Sequence, residues 1–412
     1  MAMTIFMNNS SLDLDSMGTF LKNTKRTVTA FIGLLLLAAS AVVQAQSGDG
    51  YDYSVNASNA NTITITEYTG AGGAVTMPTN INSLTVTGIG NGEDSVFSAS
   101  LTAVTIPGSV TSLANYAFYR CSGLTNATML NGVTSIGPDV FYLCDSLIAV
   151  TIPNSVTNIG SGAFYECGLT SIAIPGSVIS IEDGAFVGCI SLTNATISNG
   201  VTSIEDQAFE SCRSLPSLAI PNSITNIGYA AFANCNKLNS LTIPGSVTSI
   251  GDYAFSGPND LTNATIGGGV TSIAYAMFFD CTNLAGVFFQ GNAPTVVGNE
   301  EEDGPVFYND NSVTVYYLPG STGWSNTYQG VPAVLWNPQI QASGASFGVK
   351  NGQFGFNITG TANIPIVLQA CTNLGNPVWM SLTNVNLTNG LFYFSEPFQA
   401  NTPSRYYRIS SP

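Results

Sequence analysis

The sequence contains no histidine, and only 8% of its 412 residues are charged. Histidine is the usual general base near neutral pH and a common metal ligand. A Ser-His-Asp triad, a Cys-His pair, an HExxH motif and any other His-ligated zinc site are therefore excluded. Chemistry that uses only carboxylates, as in glycoside hydrolysis, stays open.

Basic residues are also scarce, since acidic residues outnumber lysine and arginine by 24 to 9. The isoelectric point is about 4.1. Binding of nucleic acid or anionic lipid depends on a basic surface patch, so neither is an expected partner. Hydrophobic residues make up 45% of the chain, which is enough to bury a substantial core.

Residues 1–45 have the pattern of a secretory signal peptide. A basic region at Lys22, Lys25 and Arg26 precedes an apolar stretch at residues 31–43, and Val43-Gln44-Ala45 provides a small-residue cleavage site. The apolar stretch is shorter than the roughly 20 residues of a membrane span, although an uncleaved anchor remains an alternative. The prediction is a protein that is secreted or displayed on the cell surface.

Phenylalanine recurs through the middle of the chain at intervals of 23 residues, with one interval of 22. The series consists of Phe118, Phe141, Phe164, Phe186, Phe209, Phe232, Phe255 and Phe278. The surrounding residues keep one register, which can be written LxxVxIPxSVTxIGxxAFxxCxxL. A fixed period of this length indicates a solenoid built from stacked coils.

The coil that begins at Leu101 shows what each part of the pattern predicts. The inward side chains of its first strand are Leu101, Val104 and Ile106, and Pro107 ends that strand. A second short extended piece follows at residues 110–113. The spacing of apolar residues at 117–124 fits a single helical or 3₁₀ turn.

One coil cannot bury this apolar face alone, so neighbouring coils must stack and the ends must be capped. A longer period overlies the first, because the variant segment TNAT begins at Thr125, Thr193 and Thr262, every 68 or 69 residues. Blocks of three coils were thus duplicated. Duplication suits a binding surface or a spacer better than an active site, which needs one unique arrangement of residues.

The segments AFYRC, AFYEC, AFVGC, AFESC and AFANC, together with their IPxSVTxIG partners, closely resemble the BspA-type leucine-rich repeats of bacterial surface and secreted proteins. The resemblance covers about residues 74–336. It implies a role in adhesion, or in binding protein or matrix, without naming a ligand. The pattern departs from the family at Pro258, where cysteine is expected, and at an insertion in residues 291–311.

The predicted fold is a leucine-rich-repeat right-handed superhelix of short parallel strands and short helical turns, with about nine 23-residue coils and a small C-terminal β-sandwich. The predicted segments are a signal peptide at 1–45, an N-terminal β-hairpin cap at 46–73, the repeats at 74–290, a C-terminal cap at 291–337 and the β-sandwich at 338–412. Within the last segment, Asn351-Gly352 and Asn389-Gly390 are hairpin turn signals.

Seven of the eight cysteines follow a repeat phenylalanine by three residues. They are Cys121, Cys144, Cys167, Cys189, Cys212, Cys235 and Cys281, while Cys371 stands alone in the tail. Equivalent side chains in stacked coils point the same way, whereas a disulfide needs Cβ atoms that face each other. Buried free thiols are therefore predicted, with disulfides and metal binding as alternatives.

Two groups of acidic residues are candidate sites. The run Glu300–Asp303 is predicted to be a solvated loop, with a calcium loop as the alternative. The pairs Glu182-Asp183 and Glu205-Asp206 recur at 23 residues. They are predicted to form a column on one edge of the solenoid rather than the opposed carboxylates of a glycosidase.

A candidate ligand face is predicted on the outer side of the first strands, where threonine recurs at Thr105, Thr128, Thr151, Thr196, Thr242 and Thr265. Ala173 and Ala219 interrupt the row. A flat polar face suits an extended glycan, ice or another sheet, but exposed strands favour threonine in any case. The aromatic pairs Phe288-Phe289 and Tyr316-Tyr317, with Trp324, are predicted to be capping core, with a carbohydrate platform as the alternative.

These observations predict an exported, non-enzymatic monomer that binds an extracellular protein or polysaccharide and uses no metal or cofactor. Two alternatives remain. One is a structural spacer or matrix protein without a specific ligand, and the other is a carboxylate-dependent glycan hydrolase.

Overall fold

The computed structural model describes residues 46–48, 50–298, 304–310, 312–398 and 404–412. The predicted signal peptide and the acidic run Glu300–Asp303 lie outside these residues. The described residues form strands and turns almost throughout, and their one helix is the 3₁₀ turn Thr388–Gly390.

Six strands precede the regular coils. They are β1 (Gln46–Gly48), β2 (Tyr51–Val55), β3 (Thr62–Tyr68), β4 (Gly73–Thr76), β5 (Asn80–Ile81) and β6 (Leu84–Ile89). Strands β1 to β3 pair antiparallel, and β3 then pairs in parallel with β6. The N-terminal strands therefore join the same sheet as the stacked coils.

The regular coils contribute a longer strand, followed by a shorter one. The longer strands are β7 (Leu101–Ile106), β9 (Asn126–Met129), β11 (Ala149–Thr151), β13 (Ser171–Ile174), β15 (Asn194–Ile197), β18 (Ser240–Ile243) and β20 (Asn263–Ile266). The shorter strands are β8 (Ser112–Leu113), β10 (Ser135–Ile136), β12 (Asn158–Ile159), β14 (Ser180–Ile181), β16 (Ser203–Ile204), β17 (Asn226–Ile227), β19 (Ser249–Ile250) and β21 (Ser272–Ala274).

Strands of successive coils pair in parallel and in register. The shorter strands continue from β6 through β8, β10, β12, β14, β16 and β17 to β19 in one sheet. The longer strands form three separate runs, β4-β7-β9-β11, β13-β15, and a run that begins β18-β20. This is the leucine-rich-repeat solenoid that the sequence predicted.

The third segment of each coil differs in detail from the helical turn expected from its spacing. Residues two before and two after the repeat phenylalanine have positive φ, such as 61° at Tyr116 and 56° at Arg120 around Phe118. Left-handed residues interrupt a helix. The segment instead bonds to the next coil, as where the amide of Phe118 donates to the carbonyl of Val140 at 2.8 Å.

A column of stacked aromatic rings runs through the core. Its ten phenylalanines are Phe97, Phe118, Phe141, Phe164, Phe186, Phe209, Phe232, Phe255, Phe278 and Phe307. Tyr68 and Tyr51 extend the column at its N-terminal end. The widest spacing between neighbouring phenylalanine centroids is 6.2 Å, from Phe255 to Phe278, in the coil where Pro258 replaces cysteine.

Threonine hydroxyls add a second link between coils on the side of the shorter strands. The hydroxyl of Thr134 donates to the carbonyl of Thr111 at 2.9 Å, and Thr157 bonds to Thr134 in the same way at 3.2 Å. The pattern continues at Thr202, Thr225, Thr248, Thr271 and Thr295. The threonine that follows valine in the repeat pattern thus contributes a hydrogen bond between coils as well as a preference for strand.

The solenoid ends in five further strands, and the tail contains seven. The first set is β22 (Gly286–Phe289), β23 (Thr295–Val297), β24 (Thr314–Tyr317), β25 (Thr327–Tyr328) and β26 (Val331–Leu335). The second set is β27 (Gln339–Gln341), β28 (Gly348–Lys350), β29 (Gln353–Thr359), β30 (Pro365–Cys371), β31 (Met380–Asn386), β32 (Leu391–Pro397) and β33 (Tyr406–Ser410).

The tail forms two antiparallel sheets, β28-β29 with β27 and β32, and β31-β30-β33. Phe356 and Ile366 belong to a core that both sheets enclose, as expected for a small β-sandwich. Asn351-Gly352 joins the paired strands β28 and β29, both with positive φ. Asn389 and Gly390 also have positive φ, but they lead from β31 to β32. These two strands lie in different sheets, so the pair is not a hairpin turn.

Asp310 occupies the cysteine position of the last coil, three residues after Phe307. Its side chain is 3% exposed, and neither carboxylate oxygen has a hydrogen-bond partner among the described residues. Burial raises the pKa of Asp310 to about 7; the nearby backbone of Cys281, although outside hydrogen-bond geometry, partly lowers it, and the charge of Asp280 raises it slightly further. A carboxyl group in this place favours the protonated form.

Replacing Phe209 with alanine should lower the free energy of unfolding by about 3–5 kcal/mol, because a ring would be lost from the middle of the column and leave a cavity. Chemical denaturation followed by circular dichroism measures the change. Tyr229→Ala is the control, since Tyr229 is 45% exposed and its loss should cost much less. Equal effects of the two changes would contradict the role of the ring column.

The pH dependence of stability tests the environment of Asp310. An unfolded aspartate titrates near 3.9, so between about pH 4 and pH 7 the folded chain holds a proton that the unfolded chain loses, and stability falls as pH rises. Asp310→Asn should therefore raise the free energy of unfolding more at about pH 8 than at about pH 5. The exposed carboxyl change Glu67→Gln should show no such difference, and a pH-independent effect of Asp310→Asn would refute the assignment.

Candidate functional site

The threonines predicted as a ligand face lie in one column on the outer side of the longer strands. Parallel register places Thr128 beside both Thr105 and Thr151, and Thr242 beside Thr265. The intervening residues Val104 and Ile106 are buried, which is the alternation of a half-buried strand. Thr76, Thr105, Thr128, Thr151, Thr196, Thr242 and Thr265 are named the threonine face.

The structure does not join these residues into one sheet. Thr105, Thr128 and Thr151 share a sheet, and Thr196 lies in the short sheet of β13 and β15. Thr242 and Thr265 belong to a third sheet. Ala173 and Ala219 flank Thr196 in register. Sequence reasoning missed Thr76, which pairs with Thr105, because β4 precedes the regular repeat pattern.

A second column runs beside the threonine face, two residues earlier in each strand. Its members are Ala103, Asn126, Ala149, Ser171, Asn194, Ser240 and Asn263. The hydroxyl of Thr128 donates to the amide oxygen of Asn126 at 3.2 Å. The two columns hold only hydroxyl, amide and methyl groups, which can hydrogen-bond a neutral polar ligand but do not supply an acid or base that titrates near neutral pH.

The C-terminal sheets close one end of the threonine face. The hydroxyl oxygens of Thr265 and Ser411 are 3.3 Å apart. Beyond Thr265 the column continues in register as Phe288 and Tyr316, whose stacked rings have centroids 4.7 Å apart. The open part of the face therefore lies over the preceding coils.

The aromatic pairs near this end serve mainly as core. Phe288 and Phe289 are 4% and 3% exposed. Trp324 stacks on Tyr317 with centroids 5.2 Å apart, and its indole N–H donates to the carbonyl of Gly291. These contacts fit the capping interpretation rather than an open carbohydrate platform.

Charged residues of the repeats cluster on the turn segments around each phenylalanine. The residue after the phenylalanine is tyrosine in three consecutive coils, at Tyr119, Tyr142 and Tyr165. Their rings stack, with centroids 5.5 Å apart for the first pair and 4.4 Å for the second. All three side chains are partly exposed.

A groove of about 940 Å³ begins at Tyr142 and Tyr165 and follows the turn segments toward the C terminus. Its carboxylates are Asp139, Asp145, Glu166, Asp183 and Glu210, and its one cationic side chain is Arg213. We name it the turn-edge groove. Burial is the largest cause that raises the pKa of Tyr142, and the neighbouring Tyr165, Glu166, Tyr119 and Asp139 raise it further.

Sequence reasoning missed the turn-edge groove. The tyrosine that follows the phenylalanine in AFYRC, FYLC and AFYEC was visible in the sequence. Which acidic residues share its side of the coil depends on the left-handed turn geometry, which the spacing alone does not predict.

The paired acids contact the backbone and hydroxyl groups. Register between Ile181 and Ile204 places the two pairs one coil apart. Glu205 accepts hydrogen bonds from the hydroxyls of Ser180 and Ser203, and Asp206 accepts one from the amide of Tyr229. Across the part of the chain that the structure describes, no group of three histidine, cysteine, aspartate or glutamate side chains could hold a metal ion.

All eight cysteines are buried and free. In the repeats each thiol points at the phenylalanine carbonyl of the preceding coil, as from Cys189 to Phe164 at 3.2 Å and from Cys212 to Phe186 at 3.3 Å. Burial raises the pKa of Cys189 and of Cys235 to about 12, and it raises that of Cys212 well above its usual value. The thiols therefore act as small core groups with a weak hydrogen bond, not as nucleophiles.

Comparison with known families identifies the repeats. A family model described as the BspA type leucine-rich repeat region matches residues 77–192 and 179–299 in six copies, which together span more than half of the chain. No curated protein matches the chain.

Two solved structures of bacterial leucine-rich repeat proteins are similar to the chain. One, from Bacteroides ovatus ATCC 8483, is 26% identical, with a TM-score of 0.56 over 67% of this chain and 71% of that chain. The other, a leucine-rich cell surface protein from Faecalibacterium prausnitzii A2-165, is 27% identical, with a TM-score of 0.26 over 60% of this chain and 95% of that chain. The first supports the solenoid fold.

Thiol reactivity tests the cysteine positions. The folded protein should react very slowly with a thiol-specific reagent, because every cysteine is buried and most are held protonated. After denaturation without a reducing agent, all eight thiols should react. A count below eight would show that some cysteines form disulfides and would contradict the free-thiol column.

Proposed function

Because the chain belongs to the family of BspA-type leucine-rich repeat proteins, we propose that it is an exported, non-enzymatic binding protein that acts outside the cell or on its surface. The signal-peptide pattern of residues 1–45 supports export. No helix in the described ranges is long and apolar enough to cross a membrane. The family supports a role in binding and names no ligand.

The observation that carries this proposal is the uncharged, solvent-facing threonine face. It presents threonine hydroxyls in register from Thr76 to Thr151, and again at Thr242 and Thr265, at a spacing set by strand pairing of about 4.8 Å. An extended neutral partner, such as a polysaccharide or an exposed strand of another protein, repeats its polar groups in a similar way. We therefore propose that the threonine face binds an extended neutral polymer.

Binding to an immobilised panel of matrix proteins and neutral polysaccharides tests this function. The purified protein should bind at least one member saturably. Thr128→Arg and Thr128→Glu should each weaken that binding by about tenfold or more, because either side chain disrupts a flat face and brings an unpaired charge into it.

The matched controls are Thr157→Arg and Thr157→Glu, since Thr157 is also an exposed threonine but lies beside the shorter strands. These changes should leave binding close to that of the unmodified protein. Equal losses at Thr128 and Thr157 would refute a site on the threonine face. Absence of binding to every member of the panel would favour the alternative of a structural spacer, and release of sugar from a polysaccharide would favour the hydrolase.

A further inference from the structure

We propose that the turn-edge groove is a second binding site, which takes an extended, arginine- or lysine-bearing segment of a partner protein. This inference goes beyond the function proposed for the threonine face, because the groove lies on a different side of the coils and has the opposite chemistry. One surface is neutral and flat, and the other is acidic and concave.

The groove exists because two consecutive coils have glycine where their neighbours have side chains. Gly162 lies two residues before the phenylalanine of one coil. In the next coil, Gly184 and Gly188 lie two residues before and two residues after the phenylalanine. The equivalent positions hold Asp139 and Leu143 one coil earlier. Loss of side chains at three of these left-handed positions opens the surface over residues 162–188.

Glycine also makes room for the carboxylates. A Cβ atom added at Gly162 would lie 2.2 Å from a carboxylate oxygen of Asp139, and one added at Gly188 would lie 2.8 Å from Cγ of Glu166. Positive φ alone does not require glycine here, because other coils place non-glycine residues at the same turn. Both contacts are to flexible side chains that can move aside, so glycine is not strictly required, but it lets Asp139 and Glu166 lie against the turn of the next coil.

The tyrosine stack borders the groove, has an arginine at one end, and leaves its rings partly exposed. At the first end, the guanidinium of Arg120 lies 5.2 Å from the ring centroid of Tyr119. At the other end, Val187 follows Tyr165 in the next coil, so Tyr165 stacks on Tyr142 alone among the described rings while its side chain stays partly exposed to the groove. A second guanidinium is therefore a group that the partly exposed rings of Tyr142 and Tyr165 fit.

Charge identifies the partner as cationic. Five carboxylates line the groove, and Arg213 is its only cation. A guanidinium beside Tyr165 would lie next to Glu166, in the same turn, and so would combine ring stacking with an ion pair. A neutral sugar would also stack on tyrosine, but it would form no ion pair with the carboxylates.

The size of the groove fits a short extended segment. Its lining residues come from four successive coils, which at about 4.8 Å per coil span roughly 15–20 Å. A strand of about five residues has this length. Alternate side chains of such a segment would face the carboxylates, so a peptide with a basic residue at every second position matches the site.

Fluorescence anisotropy with labelled peptides of alternating arginine and serine, about eight residues long, tests the proposal on the purified full chain. Matching peptides carry lysine or glutamate in place of arginine. The arginine peptide should bind saturably and the lysine peptide more weakly, because lysine lacks the planar group that stacks on tyrosine. The glutamate peptide should not bind, and added salt should weaken arginine binding.

Four variants locate the site. Tyr165→Leu should weaken arginine-peptide binding by about three- to tenfold, whereas Tyr165→Phe, which keeps the aromatic face, should bind nearly as well as the unmodified protein. Glu166→Gln and Asp183→Asn together should weaken it by about tenfold and reduce its salt dependence. Glu67→Gln is the matched control, because it removes an exposed carboxylate from β3, outside the groove, and should have little effect.

Three results would overturn the proposal. One is equal loss of binding in Glu67→Gln and in the double carboxylate variant, which would show only non-specific attraction to an acidic protein. Another is no binding of the arginine peptide at low salt by a protein that melts normally. The third is binding of a neutral oligosaccharide that is lost in Tyr165→Leu and unchanged in the carboxylate variants, which would make the site one for glycans.

These results are independent of the threonine face. Arginine-peptide binding that survives Thr128→Glu would support the groove even if the panel of neutral polymers shows no binding. Conversely, polysaccharide binding that survives Glu166→Gln would support the threonine face as a binding site even if the arginine peptide does not bind the groove.

Discussion

The structure depends on the stacking of each coil on its neighbours. The phenylalanine rings lie 4.7–6.2 Å apart along the core, and backbone amides beside each ring bond to the next coil. Cysteine thiols and threonine hydroxyls add hydrogen bonds to the preceding coil. Since few contacts reach beyond an adjacent coil, stability is close to a sum of interfaces between neighbours.

This constraint separates residues that hold the fold from residues that are free to vary. Inward positions repeat because every coil must match the next. Outward positions on the longer strands are also repetitive, and they give the neutral threonine face. Outward positions on the turns differ from coil to coil, and there Gly162, Gly184 and Gly188 open the acidic groove beside Tyr165. The surfaces that we propose as binding sites therefore depend on which side chains a few coils add to a common frame.

Periodicity made most of the fold predictable. The 23-residue spacing of phenylalanine identified the coils, and the proline after the first strand marked the end of that strand. The repeated position of cysteine three residues after phenylalanine predicted free thiols. Spacing could not show that the turn segments contain two left-handed residues instead of a helical turn, because apolar positions fit both. Phe307 and Asp310 were missed as members of the repeat because an insertion precedes them. The groove was missed because it arises from absent side chains, which a search for motifs does not detect.

Deletion of residues 125–192 tests the central claim that coils are exchangeable units held by their neighbours. The deletion joins Leu124 to Thr193, and both residues keep the sequence context of an intact repeat, because LTNAT occurs at both places. Denaturant unfolding should show one cooperative transition, with a slope reduced because less surface is exposed on unfolding. A shortened chain that does not fold, or that unfolds in separate steps, would contradict the nearest-neighbour account.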